Sequence, residues 1–320
     1  MAPLLTINHL NVDFALRSNT LRAINDVSLS IEQGERLGIV GESGAGKSVL
    51  GFSIINLISK PGYIESGEVI FQGRDLSSYS DEQMRTIRGN QISMIFQDPM
   101  MTLNPVLTIG CQMRETLMAH QKISADKANE ICIKKLRKVY IPSPEKRLKQ
   151  YPHEFSGGMR QRIVIAISLL TDPSLIIADE PTTALDVTIQ AEIMDLLLEL
   201  CKTNNMGLIL ITHDLAVVSQ ISQRIAVMYA GTIVELGPTS QISSSPQHPY
   251  TIGLLNALPQ RAGSSKRLNQ IPGVMPGLAK IPAGCPFSNR CSLVEDLCRS
   301  KRPALEAKQT GIQVACHLVK

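Results

Sequence analysis

Eight residues restrict this chain more than any other stretch: Gly41, Glu42, Ser43, Gly44, Ala45, Gly46, Lys47 and Ser48. They follow the order Gly, four residues, Gly, Lys, Ser/Thr of a phosphate-binding loop. The three glycines let the backbone approach a polyphosphate and turn its N–H groups toward it. Lys47 supplies a point charge for the β- and γ-phosphates, and Ser48 offers a hydroxyl to Mg²⁺. The lead-in over 36–40 suits a buried strand, and 48–58 reads as a helix whose N-terminal dipole faces the anion. An accidental glycine-rich turn is the plain alternative; a strand before and a helix after weigh against it. The loop implies binding of a nucleoside triphosphate.

The loop needs a large partner structure, and 320 residues supply ample material for a buried core. A net charge of +4, with basic residues scattered along the chain, leaves no electrostatic footprint for nucleic acid. No apolar run approaches the ~18 residues needed to span a bilayer. The first residues lack a basic n-region followed by an apolar h-region, so a cytosolic chain with reduced thiols is expected.

Upstream of the loop, 5–14 and 27–31 alternate apolar and polar residues, with Gln33, Gly34 and Glu35 as a turn. This is an antiparallel β lead-in. Residues 65–73 continue it, and 92–96 is a short apolar strand ending on Gln97. The region 100–170 turns helical. A helix over 126–139 carries Ala128, Ile131, Cys132, Lys135 and Leu136 at helical spacing. Another starts at Ser156, a good N-cap. Residues 174–178 and 207–212 are buried strands ending on Asp179-Glu180 and on His213. Strands alternating with helices, with polar residues at strand ends, imply a largely parallel α/β sheet with its site at that edge.

Asp179 is placed to hold a metal through water, and Glu180 to orient or deprotonate an attacking water. An N-cap pair before Pro181 is the plain alternative for these acids, and the phosphate loop in the same chain favours function. His213 could reach a γ-phosphate. A lone strand-end His is more often structural, and Gln97 alone could be a turn residue.

Taken together, the phosphate loop, Gln97, Phe155-Ser156-Gly157-Gly158-Met159, the apolar run into Asp179-Glu180, Ala184-Leu185-Asp186 and His213 resemble the ATP-binding-cassette (ABC) ATPases in motif, order and spacing. The resemblance covers about residues 5–258. It implies an α/β phosphate-loop NTPase cassette with a RecA-like parallel-sheet core, an antiparallel lead-in and a helical subdomain. It implies ATP and Mg²⁺ as ligands, with Lys47 and Ser48 on phosphate and metal. Gln97 and Asp179 help hold the metal, Glu180 is the general base, and His213 senses the γ-phosphate. Two cassettes then meet head to tail, so that Ser156, Gly157 and Gly158 serve the other cassette's ATP and Asp186 lies at the dimer contact. Gln97 also opens the segment that reports nucleotide state to the membrane partner. Two departures stand out. Met159 replaces the frequent Gln, and the usual adenine-stacking aromatic falls near Arg17 or Ser18, with Phe14 the nearest ring.

Within that family, Tyr151-Pro-His-Glu-Phe-Ser156, Tyr229-Ala-Gly231 and Ser245-Pro-Gln-His-Pro-Tyr-Thr251 are similar to the oligopeptide, dipeptide and nickel uptake group. The His248-Pro249-Tyr250 segment then opens a C-terminal extension, although a simple turn before a helix would explain it too. The expected division is 1–258 for the cassette and 259–320 for the extension, joined by a linker over 261–266. The extension carries Cys285, Cys291, Cys298 and Cys316 with gaps of five, six and seventeen residues. In a reducing compartment these point to a metal rather than disulfides. The gaps are wide for zinc, and the group's similar tails suggest a [4Fe-4S] cluster; zinc or plain buried thiols are the other readings.

The resemblance thus implies the ATP-hydrolysing subunit of a peptide importer at the cytoplasmic face of the membrane. Its partners are two permease subunits, a second cassette (a paralogue or a copy of itself) and an extracytoplasmic solute-binding protein, with no nucleic acid. Nickel or glutathione is the alternative cargo. A soluble cassette ATPase acting on nucleic acid or ribosomes is the rival class. Such proteins carry two cassettes or a coiled-coil insertion, and neither pattern occurs here.

Overall fold

The computed structural model describes residues 2–183, 185–258, 270–309 and 311–319. Ala184 and the expected linker 261–266 lie outside the described residues. The chain forms two compact units, one of residues 1–78 with 210–320 and one of 79–209.

The first unit opens with β1 (Leu5–Ala15) and β2 (Thr20–Ile31), which pair antiparallel. Then β3 (Arg36–Val40) leads into α1 (Lys47–Ile54). The helix stops four residues short of the expected 58, because Asn56 takes a left-handed φ of +49° and ends it. Next, β4 (Gly62–Phe71) pairs antiparallel with β1 and turns through Gln72-Gly73, both at positive φ, into β5 (Arg74–Asp75). The lead-in is thus a four-stranded antiparallel sheet in the order β2-β1-β4-β5.

The second unit begins with α2 (Asp81–Ile87), capped by Ser80 and Gln83 in a reciprocal box. It continues through β6 (Ile92–Ile95), then α3 (Pro99–Thr102), α4 (Ile109–Met118), α5 (Ala125–Lys138), α6 (Pro144–Arg147) and α7 (Gly157–Ser168). On α5 the buried residues are Ala128, Cys132, Lys135 and Leu136, four of the five in the stripe read from sequence; Ile131, the fifth, is only half-buried. Ser156 caps α7 by accepting from the Met159 N–H at 3.3 Å. The fully buried β7 (Leu175–Asp179) pairs in parallel with β6, Ile95 opposite Ala178. After it come α8 (Val187–Asn204) and β8 (Gly207–Thr212), buried throughout, which carries the chain back to the first unit.

There α9 (Leu215–Ile221) is followed by β9 (Arg224–Tyr229), which pairs in parallel with β3 and antiparallel with β10 (Thr232–Pro238). Parallel and antiparallel pairing are therefore mixed, where a largely parallel sheet is expected from sequence. The short helices α10 (Thr239–Ser244), α11 (Pro249–Asn256) and α12 (Asp296–Ser300) precede a closing hairpin. Its strands β11 (Glu306–Gln309) and β12 (Ile312–Val314) extend the sheet beyond β10, with Val314 opposite Glu235. Residues 306–314 thus add two strands to the sheet that holds β9 and β10. No helix among the described residues is long and apolar enough to cross a membrane.

Candidate functional site

In the first unit the phosphate loop hangs between β3 and α1. Leu37 to Val40 are buried, so the strand fixes where the loop begins. Gly46 holds φ at +98° directly before α1, a conformation that costs an L side chain free energy. Lys47 is 6% exposed, and its ammonium donates to the Gly41 carbonyl at 2.8 Å and the Glu42 carbonyl at 3.1 Å. The loop therefore wraps its own cation. Ser48 follows on the first turn of α1. His213 lies just past β8 and is exposed, and Asp214 caps α9 by accepting the N–H groups of Ala216 and Val217.

In the second unit the parallel pairing of β6 with β7 brings their C-terminal ends together. Gln97, two residues past Ile95, therefore meets Glu180, two residues past Ala178. The Gln97 amide donates to Glu180 Oε2 at 3.3 Å, and the Thr183 hydroxyl donates to the same oxygen at 2.9 Å. Glu180 holds φ at +45°, a conformation that costs roughly 1 kcal/mol for a residue with a side chain. A strained, doubly hydrogen-bonded carboxylate is aimed rather than free. Thr183 was not anticipated from sequence; a hydroxyl three residues after an acid is the only local signal. Asp179 is 4% exposed at the end of β7.

Ser156, Gly157 and Gly158 open α7 beside the start of α8. A Cβ on Gly158 would stand 2.8 Å from Ile189, so only glycine fits there. Asp186 precedes α8 and is exposed, while the Gln190 amide donates to the carbonyls of Thr182 and Leu185.

The His248-Pro249-Tyr250 segment is a built junction. His248 is 1% exposed, and its Nδ1 accepts the Tyr250 N–H at 3.1 Å. Burial pushes its pKa down to about 3, so the ring stays neutral and keeps that acceptor. Glu235 on β10 accepts the N–H groups of Gln247 at 2.7 Å and His248 at 3.0 Å, and burial raises its pKa. The Tyr250 hydroxyl accepts the Glu42 N–H at 2.9 Å, tying the junction to the phosphate loop. Tyr229 meets Tyr250 and Phe287 edge to face at centroid distances of 4.7 and 5.2 Å, and Tyr250 lies tilted against Phe287 at 5.4 Å.

Beside Phe287, the cysteines Cys285, Cys291, Cys298 and Cys316 all line one small pocket with His248 and His317. The thiols are free of disulfides, and burial pushes Cys285 up to about 11. Four soft donors on one apolar pocket suit a thiolate-bound group in chemistry. Among the described residues, no three His, Cys, Asp or Glu side chains stand close enough to hold a metal ion in this conformation.

A phosphate loop opening a helix, and an aimed carboxylate at the end of a parallel strand, define a nucleotide-hydrolysing α/β protein. A profile for "ABC transporter" matches residues 24–183, and one for "Oligopeptide/dipeptide transporter, C-terminal region" matches residues 234–298. The dipeptide transport ATP-binding protein DppD of Escherichia coli K12 is 47% identical, over 98% of this chain and 96% of its own. The oligopeptide transport ATP-binding protein OppD of Salmonella typhimurium LT2 is 47% identical, over 98% and 93%. Among solved structures, a dimeric ATP-binding cassette in a post-hydrolysis state with ADP and Pi superposes with a TM-score of 0.66. It is 26% identical and covers 73% of this chain and 98% of that one. The chain belongs to the ATPases of the ABC transporter family.

Proposed function

We propose that this ATPase powers the uptake of di- and oligopeptides across the cytoplasmic membrane. The observation that carries the reading is an ABC cassette continuous with a peptide-transporter C-terminal region, similar along nearly its whole length to DppD and OppD. In this reading residues 1–258 form the cassette and 259–320 the extension.

Gly41 to Gly46 present backbone N–H groups to the phosphates, and Lys47 turns from its loop carbonyls to the β- and γ-oxygens. Ser48, Gln97 and Asp179 would hold Mg²⁺, which would supply charge neutralisation on the phosphates. Glu180 takes the proton of the attacking water, aimed by Gln97 and Thr183, and His213 contacts the γ-phosphate. Ser156, Gly157 and Gly158 serve the ATP of a second cassette, paralogue or identical copy, and Asp186 lies at that contact. The chain sits peripherally on the cytoplasmic face, against two permease subunits fed by an extracytoplasmic binding protein.

The test is uptake of labelled di- and oligopeptides by cells carrying Glu180→Gln in place of the native chain, with nickel and glutathione measured in parallel. Peptide uptake is expected to fall to background while the other two persist. Loss of nickel or glutathione uptake instead would change the cargo. Survival of all three would overturn the transport reading.

For the extension, we propose a [4Fe-4S] cluster held by Cys285, Cys291, Cys298 and Cys316, which line one apolar pocket and would have to draw closer than they stand here to bind it. Bound, the cluster would supply a rigid cross-link to a segment with few core residues. The expected result is about four iron atoms per chain after anaerobic purification, with a charge-transfer absorbance that Cys298→Ser abolishes. Bound zinc, or no metal at all, would overturn it.

A further inference from the structure

Every polar group of Glu42 is held by another residue. Its N–H donates to the Tyr250 hydroxyl, and its carbonyl accepts from Lys47 Nζ. Its carboxylate receives the whole fork of Arg290, Nη1 to Oε2 at 2.6 Å and Nη2 to Oε1 at 3.0 Å. Arg290 lies 248 residues away, immediately before Cys291. The Arg290 side chain is 5% exposed and the Glu42 side chain 30%.

Arg290 is itself fixed on all sides. Its Nε donates to the Pro272 carbonyl at 2.7 Å, and its guanidinium lies 5.8 Å from the Tyr229 ring centre. Its backbone is set by the turn in which the N–H groups of Arg290 and Cys291 both donate to the Phe287 carbonyl. The segment it grips continues to Met275, whose Cγ lies 3.9 Å from where a Cβ on Gly44 would stand. One buried guanidinium thus joins the phosphate loop, the end of β9 and the segment after Pro272.

A carboxylate at the second position of a phosphate loop is a liability, because the ligand is a polyanion. Unpaired, it would repel the phosphates in a partly desolvated setting. A buried, bidentate guanidinium cancels that charge and fixes its direction. There is also a consequence for order. When Lys47 turns to the phosphates, the Glu42 carbonyl loses its ammonium but keeps the Ala45 N–H at 3.2 Å, and Tyr250 and Arg290 hold the rest of the residue in place.

We propose that Arg290 is a positioning residue for nucleotide binding, which neutralises Glu42 and ties the phosphate loop to the cysteine-bearing extension. The inference rests on residues 41–48 as the ATP site.

The experiment is a double-mutant cycle on the full chain, reading the Kd for MgATP by displacement of a fluorescent nucleotide. Arg290→Ala is expected to raise Kd at least about tenfold, since it leaves a half-buried carboxylate unpaired beside the phosphates. KM for ATP should rise in step, with kcat changed less than about threefold. Arg290→Lys keeps the charge without the fork and should recover binding to within about threefold of wild type. In a Glu42→Gln background, Arg290→Ala should change Kd by less than about twofold, because no charge is left to neutralise. Should Arg290→Ala fail to stay folded, Arg290→Gln, which keeps the length without the charge, carries the same comparison with and without Glu42→Gln. Unchanged binding in Arg290→Ala, or an equal loss in both backgrounds, would overturn the proposal in favour of simple scaffolding. A wild-type chain that binds no MgATP would overturn the ATP site itself, which is a separate and recognisable failure.

Discussion

Replacing Glu180 with Gln is expected to lower kcat for ATP hydrolysis at least a hundredfold, the scale on which a positioned general base contributes. The reaction forms a bond from the water oxygen to the γ-phosphorus and breaks the bond to the bridging oxygen of ADP. The water proton needs an acceptor. In the proposed reading Glu180 is that acceptor, its Oε2 held by the Gln97 amide and the Thr183 hydroxyl. Glutamine preserves the shape and still accepts from both donors through its carbonyl, but it cannot take the proton. ATP affinity should therefore stay within about threefold while turnover collapses, the signature of an interaction made only in the transition state. Steady-state kinetics beside equilibrium nucleotide binding separates the two. Hydrolysis within tenfold of the native rate would move the base elsewhere.

Lys47→Ala should act on the other quantity. The ammonium is buried in a cage of its own loop's carbonyls, at 2.8 and 3.1 Å, so its conformational cost is largely met before the nucleotide arrives. Truncating one partner of a desolvated charge pair typically costs 2–5 kcal/mol. At about 3 kcal/mol, MgATP binding weakens roughly a hundredfold. Titration with a fluorescent nucleotide reads this directly. Retained affinity would mean that backbone N–H groups alone carry the phosphates.

The parts of this architecture legible in sequence are those set by local pattern. The strand before the phosphate loop ends at Val40 and β8 spans Gly207–Thr212 because continuous apolar runs bounded by turn residues admit little else. Ser156 was legible as a cap because its hydroxyl serves an N–H three residues away. The end of α1 was misjudged because apolar residues continue past it, and the stop is made by the conformation of Asn56. The parallel chemistry of Gln97 and Glu180 came from motif resemblance, yet their hydrogen bond follows from strand pairing across 83 residues. Glu42 with Arg290 and with Tyr250 was out of reach altogether. Nothing near a loop glutamate announces a guanidinium 248 positions downstream. β10 is a hairpin with β9 across Ala230-Gly231, a local signal, whereas the pairing of β12 with β10 joins strands far apart in sequence and leaves no periodic trace.

The last hairpin has a consequence for biosynthesis. β12 covers the outer edge of β10, with Val314 opposite Glu235 and the Ala315 N–H donating to the Val234 carbonyl. A chain leaving the ribosome exposes that edge until β12 emerges. During the interval β10 presents unpaired backbone groups, the feature by which one nascent chain templates another. Polysomes bring such chains close together. A premature stop between β10 and β12 would make that exposure permanent, so the closing hairpin is what converts an adhesive intermediate into a covered edge.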